Sequence, residues 1–275
     1  MQMRQNLDLG VIQWMVPIDK NAGSVTRSVS CAPPVVGHKT TIAREMHNKL
    51  DAGKFDKDSL EPLIPLASFA ALALDNARLN QTILEGYMHT IKVLAATIDA
   101  KDPYTHGHSQ RVAEYALIAA KFLSFPPEEL KIIEYAGILH DIGKLAIRDS
   151  ILGKPTPLTA EEWEVIHEHP SDGADIISDV PFLREARELI LNHHERYDGT
   201  GYPNKLRCDD IPIGARLLAV ADAFDTMTTD RAYRAALSLD HAIEELRRCA
   251  GTQFCPDAVE AFIAGLKSIK GLPKS

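Results

Sequence analysis

The sequence predicts a mainly α protein. An all-helical bundle fills roughly the last two-thirds, and a small N-terminal region of open class, α+β among its options, comes before it. Three observations carry this. From about Leu60, apolar residues recur every three or four positions, the spacing of one helix face. After Asp102-Pro103, no stretch alternates apolar and polar residues as a half-buried strand would. Helix starts are also marked, by Pro126-Pro127 and by Thr159 with Glu162 three residues on, a capping box. With 275 residues, 45% hydrophobic and 25% charged, the chain can build one large domain or two smaller ones.

Taken in order, residues 1–55 carry little periodic signal. "VIQWMVPI" (11–18) is a strand candidate, and "NAGSVTRSVSCAPPVVG" (21–37) reads as loop on its Gly, Ser and Pro content. "LIPLASFAALALDNARLNQTIL" (63–84) is helical. Gly86 interrupts it, and "YMHTIKVLAATIDA" resumes with Met88, Ile91, Leu94, Ala95 and Ile98 on one stripe. These stretches form one long connecting helix or two in series, ended by Asp102-Pro103. Further helices are expected over 108–123, 125–144, 158–170, 181–195, 211–227, 238–250 and 256–269. The expected division is 1–85, an N-terminal region with its connecting helix, and 86–275, the bundle.

Composition narrows the function. A net charge of −8 advertises no basic face for DNA or RNA. The four cysteines (Cys31, Cys208, Cys249, Cys255) form no CxxC pair, which argues against a zinc ribbon and for a reducing compartment. No apolar run reaches the roughly 18 residues of a membrane span, so a cytoplasmic protein is expected. Seven of the eleven histidines fall between His106 and His194, and this uneven distribution points to chemistry.

Several polar residues continue an apolar stripe. His108 precedes Val112 by four and Tyr115 by seven. His140 follows Gly137 by three, and Lys144 follows His140 by four. His169 follows Ile166 by three, Leu183, Ala186 and Ile190 lead to His193 and His194, and Asp222 follows Leu218 by four. One buried histidine is ordinarily a hydrogen-bonded core residue. Seven inward groups, His108, His140, Asp141, His169, His193, His194 and Asp222, would cost several kcal/mol each if buried without compensation, roughly 2–7 kcal/mol even for a neutral polar group. A shared cation removes that cost. Mixed imidazole and carboxylate donors suit iron, manganese, zinc or nickel, and seven donors fit two ions better than one. His140 and Asp141 can grip one ion from two sides at a frayed helix end, or Asp141 can bridge two.

"HD" followed by "IGK" at 140–144 resembles the HD superfamily of metal-dependent phosphohydrolases. "HHERYDGTGYP" (193–203) with "ADAFDTMTTDRAYR" (221–234) resembles its HD-GYP branch. "DPYTHGHSQRVAEYA" (102–116), "DSILGKPTPLTAEEWEVIHEHP" (149–170) and "IPIGARLLAVADAFD" (211–225) agree, so the resemblance covers about 90–270. It implies an all-helical HD domain that hydrolyses the bacterial second messenger cyclic di-GMP to linear pGpG, with GMP as a further product left open. It implies the same seven residues as metal ligands; the expected ions are two divalent transition metals, iron or manganese first and nickel or zinc next, with Asp141 expected to bridge them. It also implies Lys144 against a substrate phosphate, and Tyr202, Arg231 and Arg234 lining the nucleotide site. Tyr104 stands where some family members carry a glutamate for a third metal, which favours two. Cys255 stands where the family often has Asp ("QFCP" for "QFDP"), an expected weakening of local stability. "LASFAALALDNARL" (66–79) resembles the last helix of a GAF sensor, here truncated or degenerate. The connector's apolar stripe suggests a homodimer and a regulatory role for residues 1–85. The competing readings are an HD-type hydrolase of another nucleotide and a silent nucleotide-binding module.

Overall fold

A computed structural model of the chain divides into two compact units, Met1–Tyr87 and Met88–Ser275. The structure describes the backbone of six short strands and residues 63–101, 107–154, 156–230 and 235–270.

In the first unit the strands are β1 (Met3–Asn6), β2 (Val11–Trp14), β3 (Val29–Ala32), β4 (Val35–Val36), β5 (Lys39–Thr40) and β6 (Arg44–His47). An antiparallel sheet runs in the order β1-β2-β3-β6, with Met3 opposite Trp14, Ile12 opposite Cys31 and Val29 opposite His47; β4 and β5 form a separate ladder. The strand expected within 11–18 occupies Val11–Trp14. The expected loop over 21–37 instead contains β3 and β4, because the Gly, Ser and Pro around them mask two short β-prone runs.

Helix α1 (Leu63–Lys101) is a single helix of 39 residues that continues through Gly86. It stops before Asp102-Pro103, as the restriction on a residue preceding proline requires. Ile91, Ala95 and Ile98 are buried, but Leu94, expected on the same stripe, is 46% exposed. The buried face follows the 91–95–98 spacing, and Leu94 turns off it. No helix among the described residues is long and apolar enough to cross a membrane.

The second unit is helical: α2 (His108–Phe122), α3 (Pro127–Leu139), α4 (Asp149–Leu152), α5 (Ala160–His167), α6 (His169–Ile176), α7 (Arg184–Leu191), α8 (Ile213–Thr228), α9 (Leu239–Arg248) and α10 (Pro256–Lys270). Short 3₁₀ turns occupy Ile142–Ala146, Pro181–Leu183 and Cys208–Asp210. The predicted signals act as expected at two starts: Pro127 opens α3, and Thr159 and Glu162 form a complete capping box on α5. Helix α2 is central, packed by α3, α8 and α10. Its inner face is small (Ala113, Ala116, Ala119, Ala120), which lets neighbours approach closely around the edge-to-face trio Tyr115, Phe224 and Phe262.

Cys255 is buried at the start of α10. Arg216 donates to its thiol over 3.6 Å and to Asp209 over 2.7 Å, while the buried Arg216 Nε has no hydrogen-bond partner among the described residues. A thiol accepts weakly, so the contact with Cys255 adds little to the bond that Asp209 already gives the guanidinium.

Candidate metal centre

Five helices and their ends bring the seven predicted ligands together. His108 opens α2, His140 caps α3, Asp141 leads into the 3₁₀ turn, His169 opens α6, His193 and His194 follow α7, and Asp222 lies on α8. The helix expected to run to Lys144 ends at Leu139, and those expected to reach Pro170 and Glu195 end at His167 and Leu191. One device recurs at these breaks. The Nδ1 of His140 lies 2.8 Å from the Gly137 carbonyl, that of His169 2.6 Å from Ile166 and that of His193 2.6 Å from Ile190, each three residues back. The ring takes a carbonyl of the last turn and leaves the following residue free of helical direction.

That device fixes the tautomer. A carbonyl only accepts, so each Nδ1 carries the proton and each Nε2 presents a lone pair. These lone pairs converge. His169 Nε2 lies 3.4 Å from His193 Nε2, 3.3 Å from Asp141 Oδ1, and His140 Nε2 lies 3.4 Å from Asp141 Oδ2. Acceptors facing acceptors at these distances repel unless positive charge lies between them. The donor atoms fall into three groups, His169/His193/His194, His108/His140/Asp222 and His140/Asp141/His193, with the atoms of each within 4.8 Å of one another. Imidazole nitrogens with carboxylate oxygens fit a divalent transition metal, and these residues could hold one. Asp141 points one oxygen toward each of two histidines.

Electrostatics agree. Burial raises the carboxyl pKa of Asp141, but the Lys144 ammonium beside it works in the opposite direction, and the carboxyl is held well below the usual range. Burial works the same way on Asp222, and the His108 hydrogen bond overcomes it. Burial pushes His193 well down and His194 down to about 3, keeping both neutral and ready to donate a lone pair. His108 is the exception: burial lowers it, yet Asp222 and Asp225 carry it up to about 10.

A supporting layer was less legible in the sequence. Asp225, one turn beyond Asp222 on α8, is buried, lies 2.7 Å from His108 Nδ1, and accepts from Arg111 Nε at 2.6 Å. It orients His108 as the carbonyls orient the other rings. Its spacing from Asp222 was the available signal. Asp225→Ala is expected to weaken metal affinity about 10- to 100-fold, read by chelator competition; unchanged affinity would remove Asp225 from this role. Lys144 Nζ lies 2.6 Å from Asp141 Oδ2.

The loop after His194 explains its glycines. A Cβ on Gly201 would overlap the Arg196 nitrogen and lie 2.6 Å from Glu195 Cα, so only glycine allows the return. Glu195 accepts the backbone N–H groups of Asn204 at 2.6 Å and Leu206 at 3.0 Å, pinning the far side. The loop thereby sets the Tyr202 ring 5.0 Å from that of His194 and stacks it on His167 at 4.1 Å. Burial, with Asp141 and Asp222 nearby, pushes the Tyr202 hydroxyl pKa well up, so it stays a donor. His167 and Glu195 had no sequence signal beyond their neighbours. Arg231, Arg234 and Tyr104 lie outside the described residues.

The chain is 37% identical over 194 residues to "3'3'-cGAMP-specific phosphodiesterase 2" of Vibrio cholerae, covering 70% of this chain and 37% of that protein. It is 38% identical over 200 residues to "Cyclic di-GMP phosphodiesterase response regulator RpfG" of Xanthomonas campestris, covering 71% and 53%. It thus spans about half or less of the length of these curated relatives. A solved structure of a cyclic GMP-AMP-specific phosphodiesterase from V. cholerae shares the fold, with a TM-score of 0.52 and 18% identity, covering 66% of this chain and 50% of that one. The HD-domain family model ("HD domain") matches residues 92–257, the stretch that holds all seven converging side chains. By its helices, its converging histidines and aspartates and this match, the chain belongs to the HD-domain family.

Proposed function

We propose that this chain is a metal-dependent phosphodiesterase of the HD-GYP type that hydrolyses cyclic di-GMP to pGpG. The observation that carries the reading is the convergence of the unprotonated Nε2 atoms of His140 and His169 on the Asp141 carboxylate, an arrangement that calls for a cation. His108, His140 and Asp222 would hold one ion, His169, His193 and His194 a second, with Asp141 between the two sets. When bound, such a pair supplies an activated water and Lewis-acid stabilisation of the phosphoryl oxygens. The mixed imidazole and carboxylate donors suit iron, manganese, nickel or zinc, of which iron or manganese is the proposed pair, and the relatives named as cyclic di-GMP phosphodiesterases support the substrate class.

The chain's own groups do the rest. Lys144 places an ammonium beside Asp141, where a substrate phosphate adds negative charge to a chain already at −8. Tyr202, held protonated, offers a hydrogen bond at the edge of the centre. Arg231 and Arg234, assigned from the "DRAYR" motif, would hold the nucleotide with the planar fork that lysine lacks. The relative named for 3'3'-cGAMP supports a second reading, in which that dinucleotide is the substrate.

The test is anaerobic reconstitution with iron or manganese, elemental analysis, and chromatography of products from both dinucleotides. Two metal equivalents and pGpG from cyclic di-GMP are expected. Turnover of cyclic GMP-AMP alone would favour the second reading. No stoichiometric metal, or turnover of neither dinucleotide, would overturn the proposal.

A further inference from the structure

Trp163 projects from α5 with 49% of its surface exposed. Helix α5 has no buried residue, so this indole is not a core anchor. An aromatic pair one helical turn apart adds only about 0.2–0.5 kcal/mol to a helix, so the indole contributes little to α5 itself. The helix is nonetheless held firmly. Its capping box closes the N-terminus, and Lys154 pairs with Glu162 at 2.6 Å.

Trp163 is the outer end of a row of rings that begins at the candidate metal centre. Its centroid lies 5.8 Å from that of His167. His167 stacks on Tyr202 at 4.1 Å and 29°, and Tyr202 lies 5.0 Å from His194. The row therefore runs from a predicted ligand to solvent, and Trp163 and His167 have no part in holding metal.

We infer that Trp163 is a stacking platform for one nucleobase of the substrate, and that His167 positions the Tyr202 ring behind it. The inference rests on the reading of the site as a cyclic-dinucleotide phosphodiesterase. In such a substrate each phosphate is flanked by nucleosides, so a phosphate at the metal centre sends a base outward over the rim. An exposed indole on that rim offers the π-face every base can use. Because stacking tolerates any base, Trp163 contributes affinity for both purines, and discrimination between guanine and adenine falls to other groups.

Trp14 and Trp163 are the two tryptophans of the chain, which makes a direct readout available. In a Trp14→Phe background, rapid mixing of metal-loaded protein with cyclic di-GMP is expected to quench Trp163 emission before turnover. Trp163→Leu is expected to raise KM about 5- to 150-fold, the range of one base-stacking contact, with kcat within about twofold. Trp163→Phe should restore most of the affinity. Absent quenching, an unchanged KM in Trp163→Leu, or a fall in kcat and Tm that Phe does not rescue would overturn the inference while leaving the phosphodiesterase reading intact. Metal-loaded wild type that cleaves neither dinucleotide would strike that reading instead, and quenching would still decide whether Trp163 stacks on a base.

Discussion

Asp141→Ala is expected to abolish turnover, by at least about a thousandfold, and to lower bound metal together with it. Asp141 directs Oδ1 at His169 and Oδ2 at His140, 3.3 and 3.4 Å away, so one carboxylate serves both sets of histidines. Its removal leaves the partly buried Lys144 ammonium without its 2.6 Å partner and the surrounding lone pairs without a shared cation. Losing even an outer-layer partner costs about 10- to 100-fold in metal affinity, and losing one preorganised electrostatic contact costs about 10²–10³ in kcat; a group facing both sets combines the two. Elemental analysis after reconstitution and product chromatography read the effect. An Asp141→Ala protein with wild-type metal content and turnover would show that Asp141 does not join the two sets.

Gly143→Ala should disrupt the same centre from the backbone. Gly143 lies in the 3₁₀ turn after Asp141, against the start of α6. A Cβ there would overlap the His169 carbonyl oxygen and lie 2.6 Å from the Gly173 nitrogen. These are backbone atoms of a helix and cannot swing aside as a side chain would. The turn and α6 must part, carrying His169 away from Asp141. Overpacking typically costs about 1–3 kcal/mol, and rigid backbone on the receiving side puts this case at the top of that range or beyond. At about 2–4 °C per kcal/mol for a body of this size, Tm should fall by roughly 6–12 °C, with loss of bound metal. Gly86→Ala on α1 is the control: its Cβ would meet nothing within 4 Å, and alanine is the better helix former by about 1 kcal/mol, so Tm should hold or rise. Calorimetry on both variants tests the contrast, and a Gly143→Ala protein as stable and as metal-replete as wild type would refute it.

Periodicity in the sequence is enough to mark the inward groups of the centre, because apolar residues at helical spacing run through or lead up to His108, His140, His169, His193 and Asp222, although the same spacing misplaces Leu94. Motif order supplied the family. Local chemistry also placed the starts of α3 and α5, where Pro127 and the Thr159–Glu162 box act within a single turn. Helix ends at the centre were not legible. There the rings of His140, His169 and His193 bond back to the carbonyls three residues earlier, and a stripe that sets direction carries no mark for where a side chain will replace the backbone ladder. Packing between helices is what brings Asp225 onto a histidine 117 positions away, sets Gly143 against His169, and lines up Trp163, His167, Tyr202 and His194. Those contacts join residues brought together by packing between helices. Their energies depend on ångström distances across an interface, which the spacing within any one helix does not encode.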